Sequence, residues 1–360
     1  MEARRAPYGR QERIDETARH KKQMIDAVRE QRLQNEIRAE HVSSPPVVTA
    51  ANGRYIGHES VAQAKGGGHS MGLNVFFFGL GYCAEALIRR TPSIEASGTA
   101  RSDARVAALR AAGVDAHVFD GTGADPGLEE TLGRAEAVVV SIPPRGGPGP
   151  LDRFGDAIAA APNLARIVYF STIGVYGAHG DSWIDETAAT ATRSERGFAR
   201  LVDEKRWTDA AREKGVDVDV VRLPGVYGPG RNALVKLRRG EARRIVKPGH
   251  VVNRAHVDDI VDVARLVLER NFPGQIWNVA DDEPAPPQDV IAYAAELLGV
   301  PPPPEEPFET ADLSPMSASF FAEAKRISNA KAKRLLGFSP AYPTYREGLM
   351  ALWGAGEGRG

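Results

Sequence analysis

The sequence predicts an α/β fold, a doubly wound parallel sheet with a smaller C-terminal lobe, and three observations carry that prediction. From Met71 onward, short apolar runs alternate with helical stretches. The first run, Val75-Phe76-Phe77-Phe78, has no polar interruption, as a strand buried on both faces requires. It flows directly into Gly79-Leu80-Gly81-Tyr82-Cys83-Ala84, a glycine turn ahead of a helix-like stretch from Glu85 to Arg90.

Ahead of that unit, residues 1–41 are dense in Arg, Lys, Glu and Gln, contain no proline after Pro7, and read as helix. Their apolar stripe, Ile14, Met24, Ile25, Val28, Leu33 and Ile37, is too thin to build a core. Ser43 to Ser70 brings Ser-Ser-Pro-Pro and Gly66-Gly67-Gly68, a linker composition. Residues 1–70 are therefore expected to be a charged extension and linker, either an over-long start or a docking helix.

Strands are expected at Asn74–Phe78, Ile94–Ala100, Ala116–Phe119, Ala135–Ile142, Arg166–Ser171 and Val218–Leu223. Helices are expected at Asp103–Ala112, Pro126–Leu132, Leu151–Ala161 and Ser194–Lys214, the last closed by Gly215 as a C-cap. Residues 71–225 form the nucleotide-binding domain in this reading. Residues 226–353 are mainly a small substrate lobe, with 251–282 returning to the first domain, and 354–360 a tail. The lobe is marked by the proline clusters Pro284–Pro287 and Pro301–Pro304 and by amphipathic helices at Asp289–Gly299 and Asn329–Leu336.

The chain has 360 residues, 42% of them hydrophobic, which is enough for a full core. A formal charge of -1 gives no global reason to expect nucleic acid or a membrane surface as partner. The lone cysteine, Cys83, excludes an intrachain disulfide and suits a reducing cytoplasm. It is either a thiol at a helix N-terminus or, as its small size suggests, a packing residue against the sheet. No run approaches the roughly 20 apolar residues that span a bilayer. No Cys/His cluster has metal-ligand spacing, and no metal is expected.

The G-x-G-x-x-A turn points to a Rossmann-like dinucleotide site. Gly79 permits the tight turn, Gly81 lets the backbone approach a pyrophosphate, and Ala84 lets the helix lie close to the strand. Tyr82, Cys83 and Ser141, the last at the end of the fourth strand, complete the candidate cofactor shell. NAD-binding sites of this kind place an acid near the end of the second strand. Here Gly98-Thr99-Ala100-Arg101-Ser102 offers none, and a cation beside a hydroxyl suits a 2'-phosphate. NADP(H) is therefore favoured over NAD(H), with Arg101 and Ser102 as contacts. Asp120, ending the third strand, is placed either to meet the adenine or to satisfy its own turn.

Three later motifs carry a family resemblance: Ser171-Thr172-Ile173-Gly174-Val175-Tyr176-Gly177, Arg222-Leu223-Pro224-Gly225-Val226-Tyr227-Gly228-Pro229-Gly230-Arg231, and His256-Val257-Asp258-Asp259. In this order, downstream of the glycine turn, they resemble the extended short-chain dehydrogenase/reductases of the nucleotide-sugar epimerase and dehydratase type. Trp277-Asn278-Val279-Ala280-Asp281-Asp282 and Lys325-Arg326-Ile327-Ser328-Asn329 look most like an atypical bacterial subgroup of NAD(P)-dependent oxidoreductase or epimerase-like proteins. The resemblance runs from Met71 to about Leu352 and implies a carbonyl-orienting Ser or Thr, a proton-transferring Tyr and a Lys four residues beyond it. Thr172 matches the first. Aligning Glu204 with the family's following acid puts Arg196 in the Tyr position and Arg200 in the Lys position, and the chain contains no Y-x-x-x-K.

Arginine has no acceptor and does not deprotonate near neutrality, so it cannot serve as general base. Arg196 and Arg200 share a helix face, forming either an anion-binding fork or pairs with Asp203 and Glu204. Tyr176, Tyr227, Glu186 and His256 are the substitute acid/base candidates, each with a packing or capping alternative. The basic stretch Lys236–Lys247 is either a solvated face or a contact for an anionic substrate. Two functions stay open: an NADP(H)-using enzyme with a substitute proton donor, or a non-catalytic NADP(H)-binding sensor or regulator. A small-molecule partner and a monomer or homodimer are expected.

Overall fold

The computed structural model describes residues 72–144, 147–270 and 273–359; the extension expected at 1–70 lies outside them. In chain order the first half runs β1 (Leu73–Phe78), α1 (Tyr82–Arg90), β2 (Ile94–Ala100), α2 (Asp103–Ala111), β3 (Asp115–Val118), α3 (Leu128–Gly133), β4 (Ala137–Val140), α4 (Pro150–Ala160) and β5 (Arg166–Thr172). A 3-10 turn (Ile173–Tyr176), β6 (Trp183–Ile184), α5 (Glu195–Lys214), β7 (Asp217–Leu223), β8 (Gly225–Tyr227), α6 (Ala233–Arg238), β9 (Arg244–Val246) and β10 (Arg254–His256) follow. The chain continues through α7 (Val257–Glu269), β11 (Ile276–Asn278), α8 (Pro287–Leu298), β12 (Glu305–Pro307), α9 (Pro315–Ala322), β13 (Arg326–Ile327), α10 (Ala330–Leu336) and α11 (Tyr345–Gly354).

Seven strands form one parallel sheet in the order β11-β7-β5-β4-β1-β2-β3. The predicted doubly wound sheet is therefore present, with β11 as a strand beyond the six expected. It is drawn from the Trp277-Asn278 motif and pairs with β7. Expected and observed bounds differ mostly at element ends: Ala135–Ile142 shortens to Ala137–Val140, which frees Ser141 for the turn.

The uninterrupted β1 run has the predicted cause. Val75 and Phe77 pack into a layer with α1, α2, α7 and α10, while Phe76 and Phe78 face a layer containing Phe154 of α4 and Trp207 of α5. Each of these four β1 side chains is essentially closed to solvent, which stabilises the fold by roughly 1.5–3 kcal/mol apiece. Local signals set the helix ends: Ser102 and Ser194 cap α2 and α5, and Gly215 ends α5 at φ 78°. A third apolar cluster, with Leu234, Ala294 and Leu349 among its members, joins α6, α8 and α11 in the C-terminal half.

Polar groups are buried beneath the sheet's carboxyl edge. Glu204 of α5 accepts two bonds from Arg222, at 3.1 and 2.7 Å, and one from the Ser171 hydroxyl. Arg222 also lies over the Tyr176 ring, 4.7 Å from its centre. Farther along, Asp281 is closed to solvent, and burial pushes its carboxyl up to about 8, with the neighbouring Arg254 charge offsetting only part of that rise.

Glu204→Ala is expected to cost about 3–5 kcal/mol in urea unfolding, because it leaves the Arg222 cation buried without its counter-charge. Asp281 gives a pH signature. Its folded pKa lies above the unfolded value, so the native state holds the extra proton and stability falls as pH rises from about 4 to 8. Between pH 6.5 and 8, wild type should lose up to about 1.4 kcal/mol per pH unit relative to Asp281→Asn. Parallel stability curves for the two proteins in that window would refute a buried, protonated Asp281.

Candidate nucleotide and substrate site

The strand order reverses direction of growth between β1 and β4, the point where open parallel sheets bind ligands. Gly79, just after β1, is fastened there from both sides. Its N–H donates to Thr99 Oγ1 at 3.0 Å, and its carbonyl accepts from Ser141 Oγ at 2.6 Å. Its φ is +99°, and a Cβ would lie 2.8 Å from Ser141 Oγ, so only glycine fits. Leu80 N–H donates to the Thr99 carbonyl at 2.7 Å. Thr99 is a site residue the sequence reading passed over as ordinary strand.

Gly81 presents the opposite case. It is the N-cap of α1, has no side chain to cap the helix, and a Cβ there would meet nothing within 4 Å. The protein does not need glycine at this position for its own packing. The space, together with the free N–H groups of the first helical turn, suits a pyrophosphate. Ala84 is fully buried against the sheet. Cys83 is half-buried, packs against the same layer, and burial pushes its thiol up to about 11, which disfavours a thiolate. Tyr82 reaches across: its hydroxyl donates to the Pro229 carbonyl at 3.0 Å and the Arg231 guanidinium sits over its ring.

At the end of β2, Arg101 is exposed with no hydrogen-bond or ionic partner among the described residues. The Ser102 hydroxyl accepts from Arg105 N–H at 3.4 Å as the cap of α2, leaving its proton for a ligand. Asp120 takes its turn-forming alternative. Its Oδ1 accepts from the N–H groups of Thr122 and Gly123 and from the Thr122 hydroxyl, bonds that hold the carboxyl down at about 2.

The catalytic candidates are dispersed. Thr172 ends β5, and its hydroxyl oxygen accepts Gly174 N–H at 3.1 Å, with the hydroxyl proton left over. Tyr176 is corrected as a proton donor: it is fully buried, its hydroxyl donates to Asn278 Oδ1 at 2.8 Å, and burial raises its pKa. The Arg196–Arg200 fork is corrected as well. Arg200 donates to the Phe170 carbonyl at 2.8 Å and to the Tyr169 hydroxyl at 3.2 Å, whereas Arg196 is exposed without a partner among the described residues. The alternative pairing fares no better, since Glu204 is committed to Arg222 and Asp203 accepts from Tyr169.

The rival acid/base groups are likewise occupied or enclosed. His256 caps α7, its Nδ1 accepting from Asp258 N–H at 3.2 Å, and burial lowers its pKa to about 4. Glu186 accepts from Asn278 N–H at 2.7 Å. Tyr227 is buried and its pKa is raised by that burial. The basic stretch divides in two. Arg243 and Arg244 pair with Glu306 and Glu305, tying β9 to β12, and only Lys236, Arg238 and Arg239 form a solvated face. Among the described residues, no group of three or more His, Cys, Asp or Glu is gathered for a metal, and no helix is long and apolar enough to cross a membrane.

The two loop glycines should separate in mutagenesis. Gly81→Ala should leave stability within about 0.5 kcal/mol and weaken dinucleotide binding at least ~10-fold, because the new methyl enters ligand space. Gly79→Ala should instead cost about 1–3 kcal/mol of stability from its positive φ and the Ser141 contact. Thermal melts and nucleotide titrations of both variants check this; unimpaired binding by Gly81→Ala would remove the pyrophosphate from that space.

Comparison with known proteins bears on the family and the fold. Residues 154–280 match the model of the NAD dependent epimerase/dehydratase family. Protein YeeZ of Escherichia coli (strain K12) is 30% identical over 226 residues, covering 58% of this chain and 77% of YeeZ. A 3-diazoavenalumate denitrifying reductase of Streptomyces is 33% identical over 141 residues, 36% of this chain and 45% of that protein. A functionally unknown conserved protein from Silicibacter pomeroyi superposes with TM-score 0.71 at 40% identity, covering 79% of this chain and 99% of the other. UDP-glucuronic acid 4-epimerase of Bacillus cereus, solved with NAD, shares the fold at TM-score 0.61 and 15% identity, covering 78% of this chain and 97% of the epimerase. On its motifs, its sheet and these likenesses, the chain belongs to the NAD dependent epimerase/dehydratase family.

Proposed function

We propose that this dinucleotide-binding oxidoreductase or epimerase-like protein uses NADP(H) in preference to NAD(H) and acts on a small carbonyl or sugar-nucleotide substrate with anionic character. The observation that supports the nucleotide reading most is the pair of glycine positions, one closed by Thr99 and Ser141 and the other left open at a helix N-terminus. NADP(H) is favoured by the unpartnered Arg101 beside the Ser102 hydroxyl, with no carboxylate on the second-strand end to accept a ribose 2'-hydroxyl.

When bound, the nicotinamide supplies a hydride donor or acceptor. Of this chain's own groups, the Thr172 hydroxyl proton is free to orient a substrate carbonyl at the strand edge. The exposed Arg196 offers a cation to an anionic substrate group, while Arg200 braces the end of β5 through Phe170. The proton donor is a group other than Tyr176 and His256, which are committed elsewhere. The second reading, a nucleotide-binding sensor or regulator without turnover, is favoured by Arg200 standing engaged where the family places its lysine. In either case the protein acts in the cytoplasm as a monomer or homodimer, without nucleic acid or membrane partners.

Fluorescence titration should show NADPH binding at least ~10-fold tighter than NADH, and Arg101→Ala should weaken NADPH about 10- to 100-fold with little change for NADH, as expected for one charge-assisted contact. Equal affinities would overturn the preference. In a carbonyl panel, NADPH oxidation abolished by Thr172→Val supports the enzyme; tight binding with no turnover supports the regulator.

A further inference from the structure

His250 stands out among the groups the nucleotide site does not use. It closes the turn between β9 and β10, with its N–H donating to the Lys247 carbonyl at 3.1 Å. Only 3% of the residue surface is exposed, yet neither ring nitrogen has a hydrogen-bond partner among the described residues. Phe321 of α9 lies against the ring at 5.0 Å, Phe308 against Phe321 at 5.1 Å, and the Lys247 ammonium over Phe308 at 4.7 Å. A buried imidazole with two idle nitrogens is costly to keep unless something completes it.

Its position ties it to the crevice. Asn253, three residues on, binds the Lys325–Ile327 segment through both amide atoms. Lys325 in turn donates to the Gly177 carbonyl at 2.6 Å, at the end of the turn that Thr172 begins. These bonds tie the segment that follows His250 to the turn after β5, at the carboxyl edge of the sheet where open α/β sheets receive ligands.

The surrounding charge is positive. Lys247 donates to the Phe321 carbonyl and Arg254 to the carbonyls of Val252 and Ala285, bonds that use protons without neutralising charge. Lys325 has Glu323 as counter-ion at 2.9 Å. Burial and these three cations hold the imidazole neutral, with its pKa lowered to about 4. At neutral pH the ring thus has one donor and one acceptor to offer in a cationic field.

We infer that His250 is a substrate-recognising residue whose imidazole donates to an oxyanion, a carboxylate or phosphate, on the substrate and accepts from an adjacent hydroxyl. This rests on the reading of the crevice as the substrate site of a nucleotide-dependent protein. Because Phe321 lies against the ring, ligand binding requires that contact to open.

The test uses the full chain saturated with NADPH and labelled with 15N-histidine. Glycolate and inorganic phosphate are the probes, with glycerol and chloride as controls at matched ionic strength. The His250 ring nitrogens are expected to shift with at least one oxyanion and with neither control. A response to glycolate alone identifies a carboxylate, to phosphate alone a phosphate. His250→Phe should weaken that binding at least ~10-fold, the loss expected for a hydrogen bond to a charged group, and His250→Gln should restore it to within about threefold of wild type. No response to either oxyanion, or equal affinity in His250→Phe, overturns the proposal. If His250→Phe does not fold, the wild-type spectra and His250→Gln decide it. NADPH affinity measured on the same samples keeps the two readings apart: nucleotide binding without an oxyanion response overturns only this one.

Discussion

The clamp on Gly79 is the constraint on which the candidate site depends. β1 must stop where β2 and β4 flank it, and the Thr99 and Ser141 hydroxyls hold the turn from either side. With Gly79 fixed, Leu80 is tied to β2 and α1 begins at Gly81 with its first N–H groups unspent. The uncapped N-terminus of that helix is a consequence of where the strand is stopped. The three-phenylalanine run of β1 makes the stopping point rigid, because it is packed on both faces.

A second layer of order comes from charges buried below the crevice. Glu204 gathers Ser171 from β5 and Arg222 from β7, and Arg222 fixes the Tyr176 ring, whose hydroxyl then reaches Asn278 at the end of β11. Three neighbouring strand ends are thereby joined by side chains as well as by the ladder. Such a network adds less net stability than its number of contacts suggests, since every ion in it was taken out of water. Its effect is positional: it engages Tyr176 and Glu204, whereas the Thr172 hydroxyl keeps its proton and the exposed Arg196 has no partner among the described residues.

Arg196 and Arg200 bring a chemistry different from that of the tyrosine and lysine that the sequence resemblance implies. A tyrosine–lysine pair moves a proton, whereas a guanidinium stays charged and only donates. Arg200 takes up a bracing role on the Phe170 carbonyl, and Arg196 remains as an exposed cation. Both side chains keep a positive charge, and Lys247, Lys325 and Arg254 likewise give His250 cationic surroundings.

The sequence by itself determined the features that depend on near neighbours. An uninterrupted apolar run demands two-sided burial, the first glycine of the turn occupies backbone that other residues strain, and Ser102, Ser194 and Gly215 mark helix ends through bonds made within a few residues. The resemblance in three ordered motifs then pointed to the family. Tertiary structure decided the roles of the polar side chains. Tyr176 meets an acceptor 102 positions away, and Arg200 finds a carbonyl 30 positions back. Helical spacing had put Arg200 on the same face as Arg196 but said nothing of what lay opposite. The idle ring of His250 and the raised pKa of Asp281 have no local signal at all. Their states follow from burial and from the charges that distant segments bring beside them, and these exist only once the chain has folded.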